Sequence, residues 1–183
     1  MSTRKMSIRD LCYISIFSAV IAVCAQISIP MPYGIVPLTL QTFAIMLAGA
    51  VLGVKNGTIA TLLYVLLGAV GVPVFSLFTG GIGIVVGPTG GFILSFPLLA
   101  LAAGVGASKD SRLWLTLWIA IGMIVNYASG IIMYSIVTST SLSSSFFIMI
   151  QFIPTDIIKV VIVIASSKTI KQALIKSGAL VYK

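Results

Sequence analysis

Asp156 and Lys159 stand three positions apart in Pro154-Thr155-Asp156-Ile157-Ile158-Lys159, an acid and a base inside an otherwise apolar segment. At that spacing both side chains share one face of a helix. No other charged residue lies between Arg112 and Lys168. At the centre of a membrane helix each such charge costs about 2.5 to 3.5 kcal/mol, so these residues turn toward a partner or a cavity. The pair is therefore either a salt bridge tying helices together or the recognition element for a small polar ligand.

Few other residues offer chemistry. The chain has no His, and its three acids are Asp10, Asp110 and Asp156. Histidine triads, paired carboxylates and His-based metal sites are thereby excluded, and the sequence reads as a non-enzyme without metal or cofactor. No P-loop occurs, so ATP-driven work falls to partners. Gly81-Ile-Gly83-Ile-Val-Val-Gly87 has the wrong spacing and flanks for a dinucleotide loop. Cys12 and Cys24 both fall in the first apolar run, which favours packing over a disulfide.

The elements that must position the pair are membrane helices. Of 183 residues, 59% are hydrophobic and 8% charged, against about 25% charged in soluble domains. The mean hydropathy is +1.20. A net charge of +8 would suggest nucleic acid in a soluble protein, but here the bases sit in short groups between apolar runs, so no nucleic-acid partner is expected. The chain predicts a single all-α integral membrane domain in the lipid bilayer, with spans at 11–29, 38–54, 58–71, 91–106, 112–137 and 147–167. Three prolines in 30–37 forbid a continuing helix, and Asn56-Gly57 marks a tight turn. Trp114 and Trp118 suit an interfacial belt, Pro97 predicts a kink, and Ser139–Ser145 reads as a loop.

Ten of the eleven basic residues fall on one side of this arrangement, the exception being Lys159. The positive-inside rule then puts both termini in the cytoplasm and the uncharged connections 30–37, 72–91 and 139–145 outside. The connection 72–91, between helices 3 and 4, has six glycines and two prolines and reads as a re-entrant or lid-like loop, because lipid cannot satisfy irregular backbone. Asp156 and Lys159 lie in the outer half of the last span and converge with it. Backbone N–H groups, a charge pair and aromatic rings from Tyr33, Phe75, Phe78 and Phe92 suit a vitamin-sized amphipathic anion. Gly122, Asn126 and Gly130 form one stripe facing another helix, and Asn126 either bonds that helix or binds ligand. Ser18 and Ala22 put two small residues on one face of the first span, where another helix can approach closely.

Four stretches carry a resemblance: Gly71-Val-Pro73-Val-Phe75, Gly80-Gly81-Ile-Gly83, Gly87-Pro88-Thr89-Gly90-Gly91-Phe92, and Asp156-Ile-Ile-Lys159. In this order, and with Ala25-Gln26-Ile27-Ser28-Ile29-Pro30 after the first span, the chain resembles the BioY family of biotin-specific subunits of energy-coupling factor transporters. Thr155 departs from the glycine expected before the aspartate. The resemblance implies a six-helix protein of the bacterial cytoplasmic membrane. It would bind biotin from outside and dock on a membrane coupling subunit driven by two ATPase subunits. It also implies a ligand set of Asp156 and Lys159, joined by Asn126, Gly80, Gly81, Thr89, Gly90, Gly91, Phe92, Phe75 and Phe78. Ser18 and Ala22 would meet the coupling subunit. Asp156 can accept from the ureido N–H groups of biotin, while Lys159 can donate to the ureido oxygen or to the carboxylate.

A rival is a proton-coupled secondary transporter of a small anionic metabolite using Asp156. It needs a carboxylate whose partner changes, and Lys159 one turn away is a standing partner. A membrane enzyme acting on lipid lacks a recognisable nucleophile and base.

Overall fold

In the computed structural model, which describes residues 6–29 and 36–177, nearly all secondary structure is helical. Helix α1 (Ile8–Gln26) starts with a capping box. The Ser7 hydroxyl accepts from the Asp10 N–H, and the Asp10 carboxylate accepts from the Ser7 N–H. It ends three residues before the predicted limit because Ser28–Ile29 (β1) pairs antiparallel with Leu38–Thr39 (β2).

Helix α2 (Gln41–Ala69) covers the second and third predicted spans. Its two arms fold back on each other at Gly53, where φ +80° and ψ 178° break the helix in a conformation favouring glycine. The Gln41 amide reaches the Tyr64 hydroxyl 23 positions away, at 2.5 Å, which an unbroken helix would place about 34 Å apart. The reversal was expected at Asn56-Gly57, but those residues are helical. Gly57 instead lets the arms touch, since a Cβ there would lie 2.7 Å from the Ala48 carbonyl oxygen.

The glycine-rich connection contains a 3₁₀ turn (Ser76–Phe78) and the short helix α3 (Ile82–Val85). Helix α4 (Gly90–Gly106) runs through Pro97, and α5 (Arg112–Thr138) returns alongside it. The Gly122, Asn126 and Gly130 stripe lies on α4, with the two glycines against Leu99, Ala102 and the Phe92 ring. The serine-rich segment is not a loop throughout: Ser141 caps α6 (Leu142–Ile150), which meets α7 (Ile153–Lys176) at a 52° bend. Thr155 needs no glycine-like backbone, because it is helical and its hydroxyl donates to the Phe152 carbonyl at 2.7 Å.

Large apolar side chains point outward along α1 (Ile16, Val23), α5 (Leu113, Ile124, Ile136) and α7 (Ile157, Ile158, Val161). Such surface belongs in lipid. Helix α1, α2 and α5 have the length and hydropathy of membrane-crossing helices, as does the bent pair α6 and α7 taken together. The chain is thus a multi-pass membrane protein. Charged side chains find partners at one end of the bundle. Asn56 donates to Asp10, and Lys168 lies 2.8 Å from Asp110 and holds its carboxyl below the usual range, with Lys171 adding to the effect.

Candidate functional site

A cavity of about 260 Å³ opens at the other end, between the starts of α2, α4 and α7, the middle of α5 and the glycine-rich connection. That is close to the lower limit of about 300 Å³ for small-molecule sites. Asp156 stands in the first turn of α7, which Pro154 opens, where the partial positive charge of the helix start favours a carboxylate. Lys159 Nζ lies 2.7 Å from Asp156 Oδ1, so the acid and base share one face as their spacing predicts. Each is only 7% exposed.

Two other helices complete the charge pair. The Tyr127 hydroxyl on α5 donates to Asp156 Oδ2 at 2.6 Å. Thr42 on α2 donates to Asp156 Oδ1 at 3.1 Å and accepts from Lys159 Nζ at 3.2 Å. A carboxylate offers about four acceptor positions and an ammonium three N–H donors. Three of the former and two of the latter are engaged, leaving one acceptor and one donor for a ligand.

Asn126 makes the helix-to-helix bond expected of it. Its Nδ2 donates to the Phe92 carbonyl at 3.1 Å and to Ser95 Oγ at 2.7 Å, tying α5 to α4. A carbonyl only accepts, which identifies that atom as the nitrogen. Oδ1 is left buried without a partner among the described residues, and Asn126 lines the cavity. Ser76 Oγ is likewise buried and unpartnered in a cavity-lining residue. The apolar wall comes from Phe75, Ile84, Phe92, Ile93, Phe96 and Phe152, with Phe92 edge-on to Tyr127.

Six of the eleven predicted ligand residues line this cavity: Asp156, Lys159, Asn126, Thr89, Phe92 and Phe75. Gly80, Gly81, Gly90, Gly91 and Phe78 do not. Gly80 packs against the Val72 carbonyl, and Gly81 holds a φ of +102°. Gly90 and Gly91 bring backbones together, against Val85 and Ser129. Phe78 is 73% exposed and points away. The loop glycines that do reach the cavity are Gly83 and Gly87. Tyr33 lies outside the described residues. Sequence reasoning missed Gln41, Thr42 and Tyr127. The one signal was polarity at the start of an apolar span, which Gln41 and Thr42 carry and Tyr127 does not.

Of the two small residues singled out on α1, Ser18 is turned inward and Ala22 is half-buried. Ser18 is 3% exposed and Ala22 packs on the core, because this face of α1 closes against the chain's own helices. The small residues that α1 exposes are Ser15 and Ala19.

The profile of the BioY family matches residues 1–176. "Biotin transporter BioY" of Thermotoga maritima is 41% identical over 155 residues, covering 84% of this chain and 90% of the relative. "Biotin transporter BioY" of Rhodobacter capsulatus is 37% identical over 179 residues, covering 90% and 94%. "Probable biotin transporter BioY" of Pyrococcus horikoshii is 47% identical over 104 residues, which span 57% of this chain and 63% of that relative. The crystal structure of "the S-component for biotin from an ECF-type ABC transporter" superposes with a TM-score of 0.85 at 25% identity, covering 92% of this chain and 95% of the other. Matched along almost its whole length by the family profile, this chain belongs to the BioY family.

Proposed function

We propose that this chain is the biotin-binding subunit of an energy-coupling factor transporter in the bacterial cytoplasmic membrane, and that it carries biotin without catalysis or cofactor. The observation that carries the reading is a charge pair with one free acceptor and one free donor on the wall of a small apolar cavity. Biotin presents a ureido ring with two N–H donors and one carbonyl, followed by an apolar thioether ring and chain. The open position on Asp156 and the unpartnered Oδ1 of Asn126 suit the two N–H groups, and the remaining Lys159 N–H suits the ureido oxygen. Because Asp156 already neutralises Lys159, the pair favours the uncharged ring over the carboxylate.

Six passes between the two ends of the bundle support six membrane spans: α1, the two arms of α2, α4, α5 and α7. The basic end then faces the cytoplasm with both termini, and the cavity opens outward. A membrane coupling subunit and two ATPase subunits complete the transporter, since the chain holds no nucleotide-binding loop of its own. Cysteines placed at Phe78 and Ser143 react with an impermeant thiol reagent in intact cells, and one at Ser108 reacts only after lysis, in a background where Cys12 and Cys24 are replaced. Labelling of Ser108→Cys in intact cells overturns the orientation.

Calorimetric titration of the purified chain tests the ligand. Biotin and desthiobiotin, which share the ureido ring, bind. Lipoate, which offers a carboxylate without that ring, does not. Failure of biotin to bind rejects the assignment, and tight lipoate binding moves Lys159 to the carboxylate.

A further inference from the structure

Gln26, the last residue of α1, bonds through both ends of its side-chain amide to a loop that walls the cavity. Its Nε2 shares two N–H groups among three carbonyls, those of Phe75 at 3.0 Å, Val74 at 3.3 Å and, in its own helix, Ala22 at 3.2 Å. Its Oε1 accepts from the Phe78 N–H at 2.8 Å. Both ends of the 3₁₀ turn are therefore held by one amide.

The turn needs holding. Leu77 and Phe78 adopt consecutive left-handed conformations, φ 58° and 55°, which side chains other than glycine avoid unless their surroundings impose them. Inside the loop the ties are few: Phe75 N–H donates to the Thr79 carbonyl at 2.9 Å, and Thr79 bonds back to Ser76. Phe75 is buried edge-on against Tyr64 and anchors the base. The tip has no such anchor, as Leu77 and Phe78 are exposed. Yet Phe75, Ser76, Leu77 and Thr79 all line the cavity. A relaxed tip would withdraw Leu77 and the buried Ser76 hydroxyl from that wall.

We infer that Gln26 is the positioning residue of this wall: it touches no ligand, but its amide keeps the 74–79 loop over the bound molecule and so sets how slowly the ligand leaves. This rests on biotin as the ligand. Lost contacts of this kind act on dissociation more than on association. Loss of the bonds to the loop raises the biotin dissociation rate about tenfold, while the association rate stays within about threefold.

The test is release of radiolabelled biotin from the full chain in lipid nanodiscs, with association measured in parallel. Gln26→Met, similar in size and unable to make these bonds, speeds release. Adding Phe78→Asn, which accepts the left-handed backbone more readily and lines no cavity, slows release again by relieving the strain that Gln26 otherwise overcomes. Should Gln26→Met not fold, Gln26→Glu keeps the acceptor for the Phe78 N–H, loses the donated bonds and gives the same comparison. Unchanged release, or faster release that Phe78→Asn leaves untouched, overturns the inference. Absence of biotin binding in the unaltered chain instead rejects the ligand, and the two failures are thereby distinct.

Discussion

Asp156→Asn and Lys159→Met each leave the protein folded in detergent and weaken biotin binding by about 10- to 150-fold, the equivalent of about 1.5 to 3 kcal/mol for a hydrogen bond to a charged group. The double substitution does not restore binding. The alternative is a structural salt bridge, for which removing one partner strands a buried charge at a cost of about 3 to 5 kcal/mol and removing both relieves it. The geometry argues against that outcome. After Asp156→Asn, Lys159 keeps the Thr42 hydroxyl and borders a cavity that admits water; after Lys159→Met, Asp156 keeps Tyr127 and Thr42. Thermal unfolding without ligand and biotin calorimetry on all three variants decide the matter. Biotin affinity recovered in the double variant would refute the binding role.

Gly91→Leu yields no folded, monodisperse protein, whereas Gly91→Ala lowers the unfolding temperature and keeps biotin affinity in the fraction that folds. Gly91 faces the Ser129 backbone so closely that a Cβ would collide with its carbonyl oxygen and lie 2.8 Å from Met133 Cβ. Close approach of this kind is how helices gain contact in lipid, where no hydrophobic drive joins them. Overpacking costs about 1 to 3 kcal/mol for added methylenes and more where backbone must move, against a total stability of about 5 to 15 kcal/mol. The position was expected to offer its N–H to a ligand. If Gly91→Ala unfolds at the unaltered temperature and loses biotin, Gly91 contacts ligand after all and the packing role falls.

The glycine-rich connection shows where sequence reading stopped. Its composition announced irregular backbone near a site, but glycine is chosen both where a ligand approaches and where two backbones meet. Only neighbours distinguish the cases: Gly83 and Gly87 line the cavity, whereas Gly80, Gly90 and Gly91 press on carbonyls of Val72, Val85 and Ser129. Likewise Ser18 and Ala22 announce a close-approach face without naming the partner: within the chain Ser18 is buried against its own helices, whereas Ala22 is only half-buried.

By itself the sequence determined what depends on composition and local spacing. Its hydropathy demanded helices in lipid, Asp156 and Lys159 three apart had to share a helical face, and Gly122, Asn126 and Gly130 had to form a stripe against a neighbour. The order of its motifs was enough to indicate the family. What only the tertiary structure decided are contacts between residues far apart in the chain. Thr42 and Tyr127 meet Asp156 across 114 and 29 positions, Gln26 reaches Phe75 across 49, and the reversal sits at Gly53 rather than at Asn56-Gly57. The reason is physical. Helical periodicity sets the direction of a side chain about its own axis, but which helix stands opposite, and at what depth, follows from the packing of all of them together.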